Sequence, residues 1–311
     1  MLRSGSPRRK LRLPGSAQPP VTAEKRSFLP QTVSVLTAIT AVLAIVISWL
    51  TLRMNRDAQF STRYTSAVEQ FGNGNELTRT GGIYLLGRLA VESSDDRSII
   101  IDMLTDYVKQ KTGLGNADPA VCHTRSAPAP DVVAALRVLF FRIGREPGDK
   151  RIDLRRVCLV GVEMPGADLT CVRLDQSVIR SAVFDNAKLV DASLEYVSFA
   201  GSSLIGADLT RAVAFGADFT NVNTYGRTDL TGARLREAEL AEAKLAGADL
   251  TGADLTRARL DDADLTDADV SGARLATYLG RIKHLPPGAD RSGALASATA
   301  LAVPDPARVC A

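Results

Sequence analysis

Histidine is nearly missing from this 311-residue chain, which has only His123 and His284, far apart. Chemistry that needs paired imidazoles, as in many metal sites and His-assisted nucleophiles, has almost nothing to work with. Aromatic residues are scarce at 5%, with a single Trp. A core with so few rings must be made of Leu, Ala and Val, which points to a repetitive architecture rather than an ordinary mixed domain. The four cysteines (Cys122, Cys158, Cys171, Cys310) show neither CxxC spacing nor a dense cluster. Spacing therefore indicates neither a zinc site nor a disulfide framework. No GxSxG, Gly-rich phosphate loop or HExxH occurs, so the common hydrolase, nucleotide and metalloprotease signatures are missing. The chain is expected not to be an enzyme, with no catalytic, cofactor-binding or metal-binding residue to nominate and no cofactor.

The net charge of +3 conceals an asymmetry. In residues 1–60, Arg3, Arg8, Arg9, Lys10, Arg12, Lys25, Arg26, Arg53 and Arg56 face only Glu24 and Asp57, a net +7 that leaves −4 for the rest. A basic head beside an apolar segment points to a membrane surface. Residues 1–27 are rich in Ser, Pro, Gly and Arg without apolar periodicity, and a disordered tail is expected there.

From Gln31 to Leu52 there is no charge, and the run Val33–Leu52 is 20 residues. As a helix it would span about 30 Å, the hydrocarbon thickness of a bilayer. Trp49 stands near its far end, where an indole favours the headgroup region. The run is apolar on all sides and bracketed by Arg26 and Arg53, unlike a buried core helix. Leu52 leads directly into Arg53 without a small-residue cleavage site, unlike a cleaved signal peptide. A retained transmembrane helix over 28–53 is the expectation, touching membrane lipid through residues 31–52. Orientation stays open on charge. The seven Lys and Arg of the tail favour a cytoplasmic N-terminus and an external body, whereas Lys25 and Arg26 balance Arg53 and Arg56 close to the span.

Residues 54–145 read as α-helical. Phe60, Tyr64, Ala67, Val68 and Phe71 form one stripe, ended by Gly72-Asn73-Gly74-Asn75. A second stripe runs through Ile83, Leu86, Leu89 and Ala90. Ser94, ahead of Asp95 and Asp96, offers a cap for a third helix carrying Ile100, Met103, Leu104, Tyr107 and Val108. Gly113–Pro130 reads as loop, and Asp131 precedes a helical run from Val132 to Ile143. Core packing explains these stripes better than a binding face does.

The decisive signal lies in residues 150–278. Stepping by five from Leu154 meets Leu159, Met164, Leu169, Leu174, Ile179, Phe184 and so on to Phe219. After one extra residue within Thr220–Asp229 the step resumes at Leu230 and runs to Leu275. Two residues before most of these stands Ala, for example Ala167, Ala207, Ala248 and Ala263. A helix would rotate each fifth residue by about 140°, and a strand has a side-chain period of two. A period of five therefore requires the chain to turn a corner in every repeat, with one large and one small apolar residue pointing inward. Charged and polar residues fill the remaining places, as in Ala253-Asp254-Leu255-Thr256-Arg257. Asp168, Asp208, Asp249, Asp254, Asp264 and Asp269 all stand just before the central residue, where the repeat puts a polar side chain whatever the function. Cys158 and Cys171 fall in different repeat phases, which disfavours their direct pairing.

This A-(D/N)-L-X-X motif resembles the pentapeptide-repeat family over about 127 residues. The resemblance implies a mainly β fold, a right-handed quadrilateral β-helix with four pentapeptides per coil, here about six coils, preceded by the transmembrane helix and the small α-helical region. The irregular Thr220–Asp229 stretch would be a bulge or protruding loop. The segments RYTSAVEQFG (63–72), TGGIYLLGRLAVES (80–93) and IDMLTDYVKQ (101–110) resemble a region of membrane-anchored bacterial members, whose soluble part is thought to be cytoplasmic. Many of those have two spans, whereas this chain shows one. After Leu275 the period stops, and a disordered tail is expected over 279–311.

The implied function is a single-pass, membrane-anchored interaction or scaffold protein with an unidentified protein partner and no direct nucleic-acid contact. The alternative is a DNA mimic that modulates gyrase, as some soluble members do. Residues 151–277 carry 20 acidic and 14 basic residues, a net −6. A rod of about 30 Å copying duplex DNA, with one charge per ~1.7 Å, would need on the order of 18. Arg234, Arg236, Arg257 and Arg259 interrupt the acidic character further.

Overall fold

The computed structural model describes residues 29–124, 126–143, 149–224 and 228–274. The tails expected over 1–27 and 279–311 lie outside the described residues. Chain contacts divide into two units, Met1–Ala58 and Gln59–Ala311.

Helix α1 runs Leu29–Phe71 without interruption. The membrane helix expected over 28–53 and the helix carrying Phe60 to Phe71 are thus one element. The reason is local: between Gln31 and Phe71 there is no Gly or Pro to break the hydrogen-bond ladder. One window of α1 is long and apolar enough to cross a membrane by length and composition, and none of it is buried. The helix stops at Gly72, whose N–H still reaches Val68 O (2.9 Å). Asn75 then caps α2 (Glu76–Glu92), its side chain accepting from the Thr78 N–H. Helix α3 (Ser94–Thr112) is capped by Ser93, whose side chain accepts from the Asp96 N–H, and not by Ser94. Ser93 closes α2 and opens α3, so the turn is one residue tighter than the sequence pattern indicates.

In the second unit, α2, α3 and α4 (Pro130–Arg137) pack around Ile83, Leu86, Ile100, Leu104, Ala135 and Leu136, all buried. The α1 residue Ala67 joins this core, and α2 meets the end of α1 at Gly82, where any Cβ would overlap the backbone of Gln70 and Phe71. Past Arg137 the expected helix continues as a π-helix, Val138–Ile143. The Gly113–Pro130 loop contains a 3₁₀ turn, Pro119–Thr124.

One buried polar knot ties three helices. Asp131, in the first turn of α4, accepts from the Arg79 Nε (2.7 Å) and from the Tyr107 hydroxyl (2.7 Å), and its other oxygen accepts from the Val132 N–H (2.8 Å). Burial opposes the Asp131 carboxylate, yet the Tyr107 and Arg79 bonds outweigh it and hold its pKa below the usual value. Burial first, and the bond to Asp131 second, push the Tyr107 phenol from 10.0 up to about 12. A phenol raised in the folded state contributes stability that is complete below the unfolded pKa and is lost as pH rises through the folded one. Urea unfolding is therefore expected to show stability falling between pH 10 and about 12, with a flatter profile in Tyr107→Phe. Equal slopes in the two proteins would remove Tyr107 from this role.

From Asp153 onward the chain winds into coils of twenty residues. Parallel bridges join Asp153 to Arg173, Arg173 to Ser193 and Ser193 to Val213, and equivalent bridges run along three further columns. Each bridge is a single residue, so among the described residues there is no extended strand. Following the first column through Arg234 and Asp254 to Arg274 gives six coils. In most repeats the turn is closed by the N–H of the small residue onto the carbonyl of the preceding central residue, as in Ala167 N to Met164 O (3.2 Å), whereas the Val157 and Ala182 N–H groups donate to the Ser177 and Ser202 hydroxyls. Two residues after the central one the backbone has positive φ: Gly166 (72°), Cys171 (60°), Asn186 (57°), Gly206 (65°). A turn with positive φ at its third residue is what Gly and Asn supply at least cost, and it makes the corner that the period of five requires.

Inside, the central residues stack in columns and the Ala residues fill the space beside them; Ala167, Leu189, Ala192, Leu194 and Phe199 are all 0% exposed. Phe199 lies between Phe184 (centroids 6.0 Å) and Phe219 (5.6 Å). The extra residue near Thr220–Asp229 is seen as a change of bridge spacing from 20 to 21, first at Asp208 with Asp229. Thr224, 2% exposed, takes the central position of the irregular repeat, its hydroxyl donating to Lys244 O (2.7 Å). Thr228 likewise donates to Leu204 O (2.7 Å). Both hydroxyls are paired with main chain, so a polar residue at a central position (Thr224) and one at a small-residue position (Thr228) are tolerated inside.

Candidate interaction surfaces

The aspartates that precede the central residues are committed to the backbone. Asp168, Asp208, Asp249, Asp254, Asp264 and Asp269 each accept the N–H of the residue two further on, at 2.9–3.1 Å. Each therefore braces the turn that follows it. Asp208, Asp229, Asp249 and Asp269 are successive rungs of one column, about 4.8 Å apart. The Ser271 side chain and N–H hold the Asp269 carboxyl below its usual pKa. Earlier in this column Lys188 stands between Asp168 and Asp208, and the other columns mix signs too, as in Asp218, Glu239 and Arg259. Among the described residues no group of three or more His, Cys, Asp or Glu could hold a metal ion.

At the start of the solenoid, a cleft of about 600 Å³ is lined by Lys109, Arg155, Arg156 and Arg173 among others. Its cations are engaged. Arg155 pairs with Asp153 (2.7 Å), and Arg156 binds the carbonyls of Gly115 and Ala117. Burial disfavours the Asp153 carboxylate, but Arg155 and Lys109 prevail and bring its pKa down to about 2. A second cleft of about 660 Å³ lies between α2, the π-helix and the first coil, lined by Tyr84, Arg137, Val138, Phe141, Arg142, Glu163 and Pro165. Tyr84 and Phe141 are exposed there, at 40% and 47%.

Among the described residues of the solenoid, one aromatic side chain is exposed and packed against a half-buried second. Tyr196, 54% exposed, meets Phe215 edge to face (centroids 5.3 Å), and its ring covers the place a Cβ would occupy on Gly216. Tyr196 holds a positive φ of 54°, a conformation that favours Gly or Asn. The strain of about 1–2 kcal/mol roughly offsets the ring contact of about 0.5–1.5 kcal/mol. Tyr196→Gly is accordingly expected to leave the urea midpoint within the equivalent of about 1 kcal/mol, and a larger loss would make Tyr196 a structural residue.

The structure also corrects the reading of the cysteines. Cys122, on the 3₁₀ turn, and Cys158, in the first coil, are joined in a disulfide with Cα–Cα 5.7 Å, and Cys171 is disulfide-bonded too. The spacing of 36 residues carries no signature of the pair, because only the fold of the loop over the coil brings them together.

The family model for Pentapeptide repeats matches the chain in eight copies, over residues 192–223, 226–257 and 238–276. Among solved structures, the chain is similar to a pentapeptide repeat protein from the Arabidopsis thaliana thylakoid lumen, with 27% identity over 29% of this chain and 61% of that one (TM-score 0.28). It is similar to Rfr23, a pentapeptide repeat protein from the cyanobacterium Cyanothece 51142, with 21% identity over 39% and 88% of the two chains (TM-score 0.27). It is also similar to trypsin-treated QnrB1, a plasmid-mediated fluoroquinolone resistance protein, with 21% identity over 37% and 60% (TM-score 0.32). The match thus spans about three fifths of the Arabidopsis and QnrB1 chains. No curated protein matches the chain. Pentapeptide repeats imply a right-handed quadrilateral β-helix, and the five-residue period, the twenty-residue coil and the family match together identify the chain as a pentapeptide-repeat protein over this part of its length.

Proposed function

We propose that the chain is a membrane-anchored, non-catalytic interaction or scaffold protein that displays its solenoid to a protein partner. The observation that carries the anchor is the exposure of α1: Leu36, Ile39, Val42, Leu43, Ile45, Val46, Ile47, Leu50 and Leu52 are all 46–69% exposed. A helix with apolar side chains exposed on every face is at home only where the solvent is lipid. Arg53 lies over the Trp49 ring (5.4 Å), a cation–π pair suited to the headgroup level.

The scaffold role is supported by the solenoid, whose aspartates brace turns and whose stacked coils present regular faces. Tyr196 and Phe215 give one of these faces an aromatic anchor of the kind enriched in protein interfaces. A photo-crosslinking residue placed at Tyr196 in membrane-bound protein should yield a discrete adduct with one partner. The same residue at Asp264, in the column of Ser203 and Asn223 and not in those of Ser193 or Ser198 that flank Tyr196, should not. Equal, diffuse crosslinking at both positions would count against this face.

A further inference from the structure

We infer that the body of the protein resides on the oxidising, extracytoplasmic side of its membrane, where the Cys122–Cys158 disulfide locks the 113–130 loop onto the first coil. The membrane in this statement rests on the anchor proposed above, whereas the oxidising compartment rests on the disulfide.

Cys158 occupies the column that continues through Val178, Ser198, Asp218, Glu239 and Arg259. Farther along, this column carries polar and charged side chains, because it faces outward. At its start the loop lies across it, so that Cys158 is only 4% exposed and Cys122 is fully buried. Their Cα–Cα distance of 5.7 Å falls in the narrow range a disulfide needs. The same loop is held at its beginning by main-chain bonds, Leu114 N to Arg156 O (2.7 Å) and Cys158 N to Thr112 O (2.9 Å). Among the described residues these main-chain bonds end at Leu114, and the Arg156 side chain carries the contact on to the Gly115 and Ala117 carbonyls. The apolar cluster beneath the loop is small, consisting of Leu114, Cys122, Cys158 and Val178 with Val160 at its edge. Cys122 is thus the deeply buried side chain through which the 3₁₀ turn is fastened.

Forming the bond joins two thiols into one S–S link and releases two protons and two electrons. The acceptor class is a protein disulfide of an extracytoplasmic thiol oxidant, itself reduced to a dithiol. Such bonds persist outside the cytosol and are rare within it, where thiols are kept reduced. No described cysteine is free, which fits a chain matured under oxidising conditions. The charge of the tail alone leans the same way, since seven Lys and Arg precede the span within residues 1–27 while Arg53 and Arg56 follow it. The near balance at the span itself leaves the side undecided by charge, and the disulfide decides it against the cytoplasmic placement that the family resemblance implies.

The test uses the full chain in intact bacterial cells. Free thiols are trapped with N-ethylmaleimide during acid quenching, and peptides are mapped by mass spectrometry without reduction. In parallel, protease is added to the outside of the cells, after opening of any outer membrane. The Cys122 and Cys158 peptides should be linked in more than about nine tenths of the protein, and the body should be cleaved from outside. Alkylated Cys122 and Cys158 in a body protected from external protease would overturn it. Fractionation reports separately on the anchor: a linked body that washes free of membranes keeps this inference and removes the anchor, while a reduced, membrane-bound body does the reverse. Reducing the purified protein should speed proteolysis within the 113–130 loop about tenfold, and an unchanged rate would overturn the locking role.

Discussion

Deleting residues 1–53 should move the protein from the membrane pellet to the soluble fraction with its remaining fold intact. The expectation follows from where the apolar side chains go. Those of α1 between Leu36 and Met54 are exposed, and each contributes a few tenths of a kcal/mol to insertion, several kcal/mol over the span. The unit Gln59–Ala311 keeps its own buried residues, from Ala67, Ile83 and Leu104 to the stacked solenoid interior. The fragment should be produced in a host with an oxidising cytosol so that Cys122 and Cys158 can pair. Sedimentation and circular dichroism then give the result: soluble protein with helical and β signals supports the anchor. A fragment that still sediments with membranes would refute the proposal that residues 31–52 hold the protein there.

The same fragment separates scaffold from DNA mimic. Each column of the solenoid is broken by cations or neutral residues, with Lys188 between Asp168 and Asp208, and Arg173 and Arg234 in the column of Asp153. A continuous ladder of charge resembling a duplex backbone is therefore confined to Asp208, Asp229, Asp249 and Asp269. Micromolar fragment should leave gyrase supercoiling unchanged. Strong inhibition or protection would replace the scaffold reading with the mimic.

What could be read in advance was whatever repeats. The central residues, the Ala positions and the single inserted residue before Leu230 all follow from a period that each coil enforces on its own five residues. The register of twenty follows from four such repeats closing a coil. Contacts between distant segments leave no such trace. Arg79, Tyr107 and Asp131 meet across 28 and 24 residues because three helices pack together, and nothing in their spacing marks them. Cys122 and Cys158 are hidden for the same reason. Thr224 is not recognisable from sequence because a polar residue at a central place breaks the apolar pattern that marks that place, and its bond to Lys244 O makes it acceptable there. Tyr196 sits at a corner position where Gly recurs, so its aromatic ring becomes meaningful once its exposure and its contact with Phe215 are seen.

Replacing Leu250 by Lys should unravel the solenoid, whereas replacing Asp249 by Asn, one residue earlier, should leave it standing. Leu250 is 1% exposed within a column that continues through Leu230. An ammonium there has no partner and would lose its hydration in an apolar stack, at a cost of several kcal/mol. Because each coil is stabilised mainly by its neighbours, the damage should spread to the coils beyond it, toward Arg274, more than back to the first. Asp249 points the other way. One carboxylate oxygen accepts the Thr251 N–H (2.9 Å), a bond the carbonyl of Asn reproduces. Its bridge partners Asp229 and Asp269 are like charges, so neutralising it relieves repulsion and should change stability by no more than about 0.5 kcal/mol. Amide hydrogen exchange over 228–274 in detergent-solubilised full-length protein reads both outcomes. Protection should collapse in Leu250→Lys and persist in Asp249→Asn. Equal loss in the two variants would mean that the inward and outward phases of the repeat are wrongly assigned.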